Sequence, residues 1–197
     1  MAIQPTYTGL TIAKTSELVV SLDDAKRQLR LEDSTHYDPH IRVMIGSVCD
    51  HIERLYSVAI LTQTVTETHS AFPMLSTEPL YMHIKPGVSV TSVSYIDSDG
   101  ATQTFSSSNY ETKTNSRGLF IIPKVTSEWP TDLAVRPDAV TVVYQAGFGA
   151  TAANVPSSMK MAILNVIGKL DASREDPVSE KITASDILLS PFFHYAA

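Results

Sequence analysis

The sequence lacks long hydrophobic runs. Apolar stretches such as Met161 to Leu164 extend for only a few residues, far short of the roughly 20 that a helix needs to cross a bilayer. The first twenty residues contain Gln4, Lys14 and Glu17 with no apolar core between them. We therefore predict neither a membrane span nor a secretory signal, and expect synthesis in the cytoplasm.

Cysteine and positive charge are also scarce. The single cysteine, Cys49, excludes an internal disulfide and occupies a core-facing helical position, which predicts buried packing rather than a reactive thiol. Fifteen basic against 21 acidic residues give a net charge of −6. Such a surface gains little from releasing counterions off nucleic-acid phosphates, so tight DNA binding is disfavoured.

Two catalytic or ligand-binding patterns are present only in part. Gly147, Gly149 and Ala152 have G-x-G-x-x-A spacing after a predicted strand, but the next helix begins too late for a dinucleotide fingerprint, so a strand-to-helix corner is favoured. Ser157 and Lys160 match S-x-x-K, yet the S-D-N and K-T-G elements of serine acyl-enzymes are missing. Helix N-capping explains Ser157 more simply.

Metal-ligand patterns are incomplete as well. Asp97 and Asp99 resemble the start of a calcium loop but lack its third acidic position and closing glutamate, so a hairpin turn is the better interpretation. His36 and His40 stand four apart, but Pro39 between them argues against one helical face. We predict no catalytic residue, no cofactor and no metal site, and therefore not an enzyme.

The remaining pattern is that of a folded α+β protein. A chain of 197 residues with 43% hydrophobic content can bury an ordinary core as one domain, or as one domain carrying a large insert. We expect a helical core joined from N- and C-terminal segments, with a large antiparallel β-rich insert. The predicted divisions are an N-terminal arm at 1–20, the N-terminal segment of the helical core at 21–58, the insert at 59–155, and the C-terminal segment of the helical core with the tail at 156–197.

Helix signals begin at Ser21, whose hydroxyl can cap a helix that breaks near Asp33 and Ser34. Asp38 as the cap and Pro39 at the first position predict a second start. The apolar residues of this second helix repeat at three-and-four spacing: Ile41, Met44, Ile45, Val48, Cys49, Ile52, Leu55 and Tyr56.

Two further helices are predicted near the end of the chain. One opens at Pro156 and Ser157 and is apolar around most of its circumference, which is typical of a buried helix. A short final helix from Ala184 to Leu189 precedes an aromatic tail.

In the middle of the chain the hydrophobic period changes to two, which is typical of strands. Asp97 to Gly100 lie between two alternating runs and predict a hairpin turn. The strand candidates are Leu61 to Glu67, Leu80 to Ile84, Val90 to Ile96, Gln103 to Phe105, Tyr110 to Thr112, Gly118 to Ile122 and Ala139 to Tyr144.

These segments, in this order, resemble the phage head-to-tail connector family of gp6-like portal adaptors, in the branch with a β-rich insert. The resemblance is carried by Val20 to Lys26 with Leu29 to Leu31, by Leu61 to Thr64, by Val90 to Gly100, by Trp129-Pro130, by Arg136 to Val142, and by Tyr144 to Gly149 before Val155-Pro156. The chain departs from the family pattern at Leu170 to Glu175 and at Leu188 to Phe192.

The resemblance implies a structural virion protein of the neck. Its members form a ring, commonly dodecameric, that joins the portal protein to a tail or stopper protein and lets DNA pass through its lumen without specific binding. Another neck or tail-completion protein of a tailed phage is the alternative function, and a small serine enzyme using Ser157 and Lys160 is a remote one.

Two sets of contact residues are expected from their placement in the sequence. The polar side of the second helix and the β insert would contact neighbouring subunits, and the C-terminal aromatics would contact the portal. The proposed subunit-interface residues are Arg42, Asp50, Glu53 and Arg54, and the proposed portal-contact residues are Leu188, Leu189, Pro191, Phe192, Phe193 and Tyr195.

Overall fold

A computed structural model describes residues 6–31, 34–172 and 184–192. They fall into two compact units, and each unit is assembled from two separate stretches of chain. The β unit lies within Met1–Thr15 and Thr62–Gly147, and the helical unit within Ser16–Leu61 and Phe148–Ala197. The predicted α+β fold is confirmed. No helix in the described part of the chain is long and apolar enough to cross a membrane.

The described residues of the helical unit form four α-helices and two short 3₁₀ turns. The helices are α1 (Leu22–Leu29), α2 (Asp38–Tyr56), α3 (Ser157–Ala172) and α4 (Ala184–Leu189), and the 3₁₀ turns are Ala152–Asn154 and Ser190–Phe192.

The first helix begins where the sequence predicts and ends earlier. The Ser21 side chain accepts a hydrogen bond from the backbone N–H of Asp24, which satisfies one of the unpaired donors of the first turn. Arg30 adopts a left-handed conformation with φ of 59°, and this conformation ends the helix before Leu31.

The start of α2 differs from the prediction by one residue. Asp38 is the first helical residue rather than the cap, because Tyr37 holds the cap position without a side-chain hydrogen bond. The carboxylate of Asp38 instead lies 3.0 Å from Nζ of Lys26 in α1. Asp38 thus joins the two helices as well as complementing the positive end of the α2 dipole.

An apolar cluster fills the helical unit. Cys49 is buried within it, which confirms its predicted packing. One side of α3 stays outside the cluster, since Met161 and Leu170 are exposed, so the prediction that α3 is buried all round is wrong. The cluster consists of Val19, Val20, Ala25, Ile41, Ile45, Val48, Cys49, Ile52, Val58, Ile60, Leu61, Val155, Met159, Ala162, Ile163, Ile167 and Leu189.

The described strands of the β unit form two antiparallel sheets. The five-stranded sheet has the order β1-β2-β8-β4-β5, and the three-stranded sheet has the order β3-β7-β6. The strands are β1 (Tyr7–Ala13), β2 (Gln63–His69), β3 (Leu80–Tyr81), β4 (Gly87–Ile96), β5 (Thr102–Thr104), β6 (Tyr110–Asn115), β7 (Gly118–Pro123) and β8 (Val140–Ala146).

The N-terminal stretch predicted as an arm contributes β1, which pairs with β2 at the edge of the larger sheet. Between β4 and β5, the predicted hairpin turn is confirmed. Gly100 takes a φ of 85° there, which a residue with a Cβ rarely adopts, and both carboxylate oxygens of Asp97 accept hydrogen bonds, from the Ala101 N–H and the Gln103 side chain.

Side chains on alternate positions of the strands fill the interior of the β unit. The odd-numbered positions of β2 and the even-numbered positions of β8 are buried, as expected when successive side chains point to opposite faces. Aromatic residues form a second cluster, in which Trp129 stacks on Phe72 with 4.9 Å between ring centroids and donates its indole N–H to the Glu78 carbonyl.

Candidate functional site

The predicted subunit-interface residues lie along α2. Arg42, Asp50 and Arg54 are exposed, whereas Glu53 is half-buried. One oxygen of the Glu53 carboxylate accepts the Ile60 N–H at 3.0 Å, so Glu53 fixes the chain after the helix instead of projecting from it. These three charged residues lie on the surface of α2.

Apolar residues accompany these charges on the outer side of α2. Val43 is 66% exposed and Leu55 is 58% exposed. Val43, Asp50 and Arg54 are separated by seven and four residues, spacings that bring side chains to one stripe of a helix. The outward side of α2, defined by Arg42, Val43, Asp50, Arg54 and Leu55, therefore combines charged side chains with exposed apolar ones. The sequence prediction named only its charged residues.

The predicted portal-contact residues are not equivalent in the structure. Leu189 is only 2% exposed and belongs to the apolar cluster of the helical unit. Leu188 and Phe192 pack against the same cluster, and the Phe192 ring meets the edge of Phe148 at 5.5 Å between centroids. The buried Leu189 side chain holds α4 in place within this chain, and the portal contact of these residues stays a prediction.

Other residues at this end of the chain are accessible. Pro191 is exposed, and Ile187 in α4 is 65% exposed. Ile187 was not among the predicted contacts. It lies two positions from each of the buried residues Ser185 and Leu189, a spacing that places its side chain on another side of the helix. Phe193 and Tyr195 lie outside the described residues.

The β unit holds a polar cluster that the sequence patterns did not identify. Glu67 and His69 lie two residues apart on β2, on its buried face, and His83 follows β3. The Oε1 atom of Glu67 is 2.5 Å from Nδ1 of His83 and 3.1 Å from Nε2 of His69. These three ligand atoms all lie within 4.8 Å of one another.

Two donors hold the other oxygen of Glu67. The hydroxyl of Tyr144 on β8 donates to Oε2 at 2.8 Å, and the backbone N–H of His83 donates to it at 3.1 Å. The same Tyr144 oxygen accepts the Ile84 N–H at 3.0 Å. This network fixes a fully buried carboxylate between the two sheets of the β unit, as a buried charge requires.

The charge state of Glu67 follows from these contacts. Burial raises the pKa of the Glu67 carboxyl, but the contacts with the His69 and His83 imidazoles lower it more strongly, to about 2. Burial and the nearby Glu67 carboxylate raise the pKa of Tyr144 well above its usual range. At neutral pH, Glu67 is therefore an anion and Tyr144 a neutral hydrogen-bond donor.

One nitrogen of the cluster has no hydrogen-bond partner among the residues that the structure describes. This nitrogen is Nε2 of His69, whose side chain is 2% exposed; it lies 3.1 Å from the Glu67 carboxylate without forming a regular hydrogen bond. On the open side, Tyr7 of β1 covers His83 with 4.3 Å between ring centroids. His83 itself is half exposed through its side chain.

The partial motifs of the sequence occupy ordinary structural positions. His36 precedes α2 and packs its ring against Tyr37, so His36 and His40 do not share a helical face. Ser157 is the first residue of α3 rather than its cap.

The glycines after β8 form the predicted strand-to-helix corner. The backbone N–H of Gly147 donates to the Pro86 carbonyl. A Cβ on Gly149 would lie 2.3 Å from Cβ of Asn154, which explains the need for glycine at that position.

The architecture is that of a two-unit α+β protein. No protein-family model and no curated protein sequence matches the chain. Solved structures do match, over nearly the whole length. A chain in the virion of a native gene transfer agent (GTA) particle is similar with a TM-score of 0.74 and 14% identity, covering 94% of this chain and 96% of that chain.

Two neck structures of GTA particles contain similar chains. One, from an empty particle computed with C6 symmetry, has a TM-score of 0.74 and 15% identity, covering 95% of this chain and 97% of that chain. The other, from a native particle computed with C12 symmetry, has a TM-score of 0.69 and 15% identity, covering 96% of this chain and 97% of that chain. At this level of identity the likeness establishes a shared fold.

Proposed function

We propose that this protein is a structural subunit of the virion neck of a tailed phage or a phage-derived particle. The observation that carries the proposal is the fold likeness to GTA particle chains, which extends over at least 94% of each chain. Both units are therefore included in the likeness. The neck structures were computed with C6 and C12 symmetry, which supports assembly of this chain into a closed ring.

Within the neck, the proposed role is that of the adaptor ring between the portal and the tail or stopper protein. The sequence resemblance to gp6-like portal adaptors supports this role and a dodecameric ring. The net charge of −6 agrees with a ring whose lumen lets DNA pass, because few cations are available to hold phosphates in place.

The outward side of α2 is the proposed contact between neighbouring subunits. A closed ring needs two different patches that fit each other on successive copies. Val43 and Leu55 supply exposed apolar area there, and Arg42, Asp50 and Arg54 supply charges of both signs. Contacts of this composition resemble the apolar centre and polar rim of protein interfaces.

A charge-reversal pair tests this contact. Arg42→Glu with Arg54→Glu should prevent ring formation while leaving the monomer folded, because both side chains are exposed and neither belongs to the core. Lys169→Glu changes an exposed charge on α3 and serves as the control. Native mass spectrometry of each variant with the cognate portal would measure ring occupancy, and full rings from the Arg42 and Arg54 variant would contradict the assignment.

The C-terminal end is the proposed portal contact, with Ile187 and Pro191 as accessible residues of its described part. Leu189 and Phe192 anchor this end to the helical unit. A deletion that begins at Pro191 would remove part of this anchor, so the informative truncation ends the chain after Phe192.

The truncated protein, lacking Phe193 to Ala197, should keep the far-ultraviolet circular dichroism of the full chain. It should lose most portal binding in a pull-down with the cognate portal. Undiminished binding would remove Phe193 and Tyr195 from the proposed contact. Binding by the full chain to the tail or stopper protein alone would favour the alternative, another neck or tail-completion component.

A further inference from the structure

We propose that Glu67, His69 and His83 form a binding site for a divalent transition-metal ion of the zinc class. Two imidazoles and one carboxylate are a common protein ligand set for such ions. All three residues belong to the β unit, and their ligand atoms lie within 4.8 Å of one another. The proposal is independent of the proposed function.

The carboxylate is oriented as a metal ligand requires. Its Oε2 atom accepts hydrogen bonds from Tyr144 and from the His83 backbone, which leaves Oε1 facing the two imidazole nitrogens. Hydrogen bonds of this kind fix the orientation of the ligands around protein metal sites. Tyr144 is therefore a positioning residue, which orients the Glu67 carboxylate.

His69 gives a second, independent indication of a metal site. Its imidazole is almost completely buried, and Nε2 lies 3.1 Å from Glu67 Oε1 but has no hydrogen-bond partner in the described part of the chain. Leaving a buried polar atom unsatisfied is costly. A metal ion between Nε2 and the Glu67 carboxylate would satisfy this nitrogen, whereas the hydrogen bonds among the described residues do not.

The distances need only a small adjustment. Donor atoms around a tetrahedral zinc ion lie about 3.3 Å apart, as follows from metal–ligand bonds of about 2.0–2.1 Å. The separation of 3.1 Å between Glu67 Oε1 and His69 Nε2 already fits. His83 Nδ1, at 2.5 Å from Oε1, would move outward by about 1 Å.

His83 can make this movement because its side chain is half exposed. Its exposed position beside Tyr7 also gives the ion an entry path from solvent. Three protein ligands would leave a fourth position for water. Bound metal would link β2 to the connection between β3 and β4, and so tie the two sheets of the β unit together.

Isothermal titration of the chelator-stripped full chain with Zn²⁺ tests the proposal. We expect one binding site per chain and a rise in Tm of several degrees at saturating metal. His83→Ala should weaken Zn²⁺ binding more than about 100-fold, which exceeds the usual effect of losing an outer hydrogen-bond partner. His51→Ala removes an exposed imidazole from α2 and should leave binding unchanged.

We expect His83→Ala to fold, because the His83 side chain is half exposed and its replacement leaves the buried hydrogen bond between Tyr144 and Glu67 in place. Tyr144→Phe should weaken Zn²⁺ binding about 10- to 100-fold without abolishing it, as an outer-sphere change does. Co²⁺ bound to the wild type should give a visible ligand-field band that His83→Ala lacks. Absence of Zn²⁺ binding, or equal binding by His83→Ala and His51→Ala, would overturn the proposal.

Discussion

The helical unit encloses an apolar cluster drawn from four helices, whereas the β unit encloses a carboxylate, an imidazole and a phenol among its apolar side chains. In the helical unit, stability depends on how well volume is filled. In the β unit stability depends also on the buried hydrogen bonds that connect Glu67, Tyr144 and His83. The two units should therefore respond differently to small changes, and the single tryptophan, Trp129, reports on the β unit alone.

The largest effect is expected from a cavity in the helical unit. Ile163 on α3 is fully buried in the apolar cluster, so Ile163→Ala should lower the free energy of unfolding by about 2–5 kcal/mol. Urea titration followed by far-ultraviolet circular dichroism would measure the loss. Met161→Ala, two residues away and exposed, is the matched control and should change stability by less than about 0.5 kcal/mol.

A polar change should matter in the β unit even when volume is kept. Tyr144→Phe removes the hydroxyl that donates to Glu67 and accepts from the Ile84 N–H. In chelator-treated protein it should cost about 1–3 kcal/mol, because buried groups lose their partners. Urea titration followed by Trp129 fluorescence is the measurement. Tyr37→Phe, at an exposed tyrosine before α2, should have little effect, and equal effects of the two variants would contradict the comparison.

Close backbone packing in the β unit predicts a third effect. A Cβ on Gly87 would lie 2.4 Å from Cβ of Leu119, which is buried in β7. Gly87→Ala should therefore destabilise the β unit by about 1–3 kcal/mol through overpacking, again measured by Trp129 fluorescence in urea. An unchanged free energy of unfolding in Gly87→Ala would show that the two sheets can move apart at this position without loss of stability.

The smallest expected change is a gain in stability, and it concerns the helical unit. A Cβ on Gly46, in the exposed middle of α2, would have no described atom within 4 Å apart from its chain neighbours and the backbone of its own helix. Gly46→Ala should raise the free energy of unfolding by about 0.5–1 kcal/mol, because glycine loses more backbone entropy in a helix. Thermal melting by circular dichroism would detect the gain. A loss of stability would mean that α2 is not packed as described.

Most of the fold could be predicted because its signals are local. The three-and-four spacing from Ile41 to Tyr56 predicted α2, and Asp97 to Gly100 predicted the hairpin between β4 and β5. The predicted cap of α2 was wrong by one residue, at Asp38. The prediction that α3 is buried was wrong at Met161, which is exposed.

The polar cluster of the β unit was only partly predictable. Glu67 and His69 alternate with threonines, and their i, i+2 spacing in a strand places both side chains on one face. That spacing was an available signal. Nothing in the sequence indicated which face is buried, or that His83 and Tyr144 reach the same carboxylate, because those contacts depend on the pairing of strands distant in sequence.

We propose that this chain forms a ring in the neck of a particle, and cryo-electron imaging of the purified protein mixed with its cognate portal would test this proposal. We expect an added ring on the narrow end of the portal, with twelvefold or sixfold symmetry and with density for both units in every subunit. A portal left bare, when a DNA-filled head is also left without the added ring, would show that the chain does not form this ring.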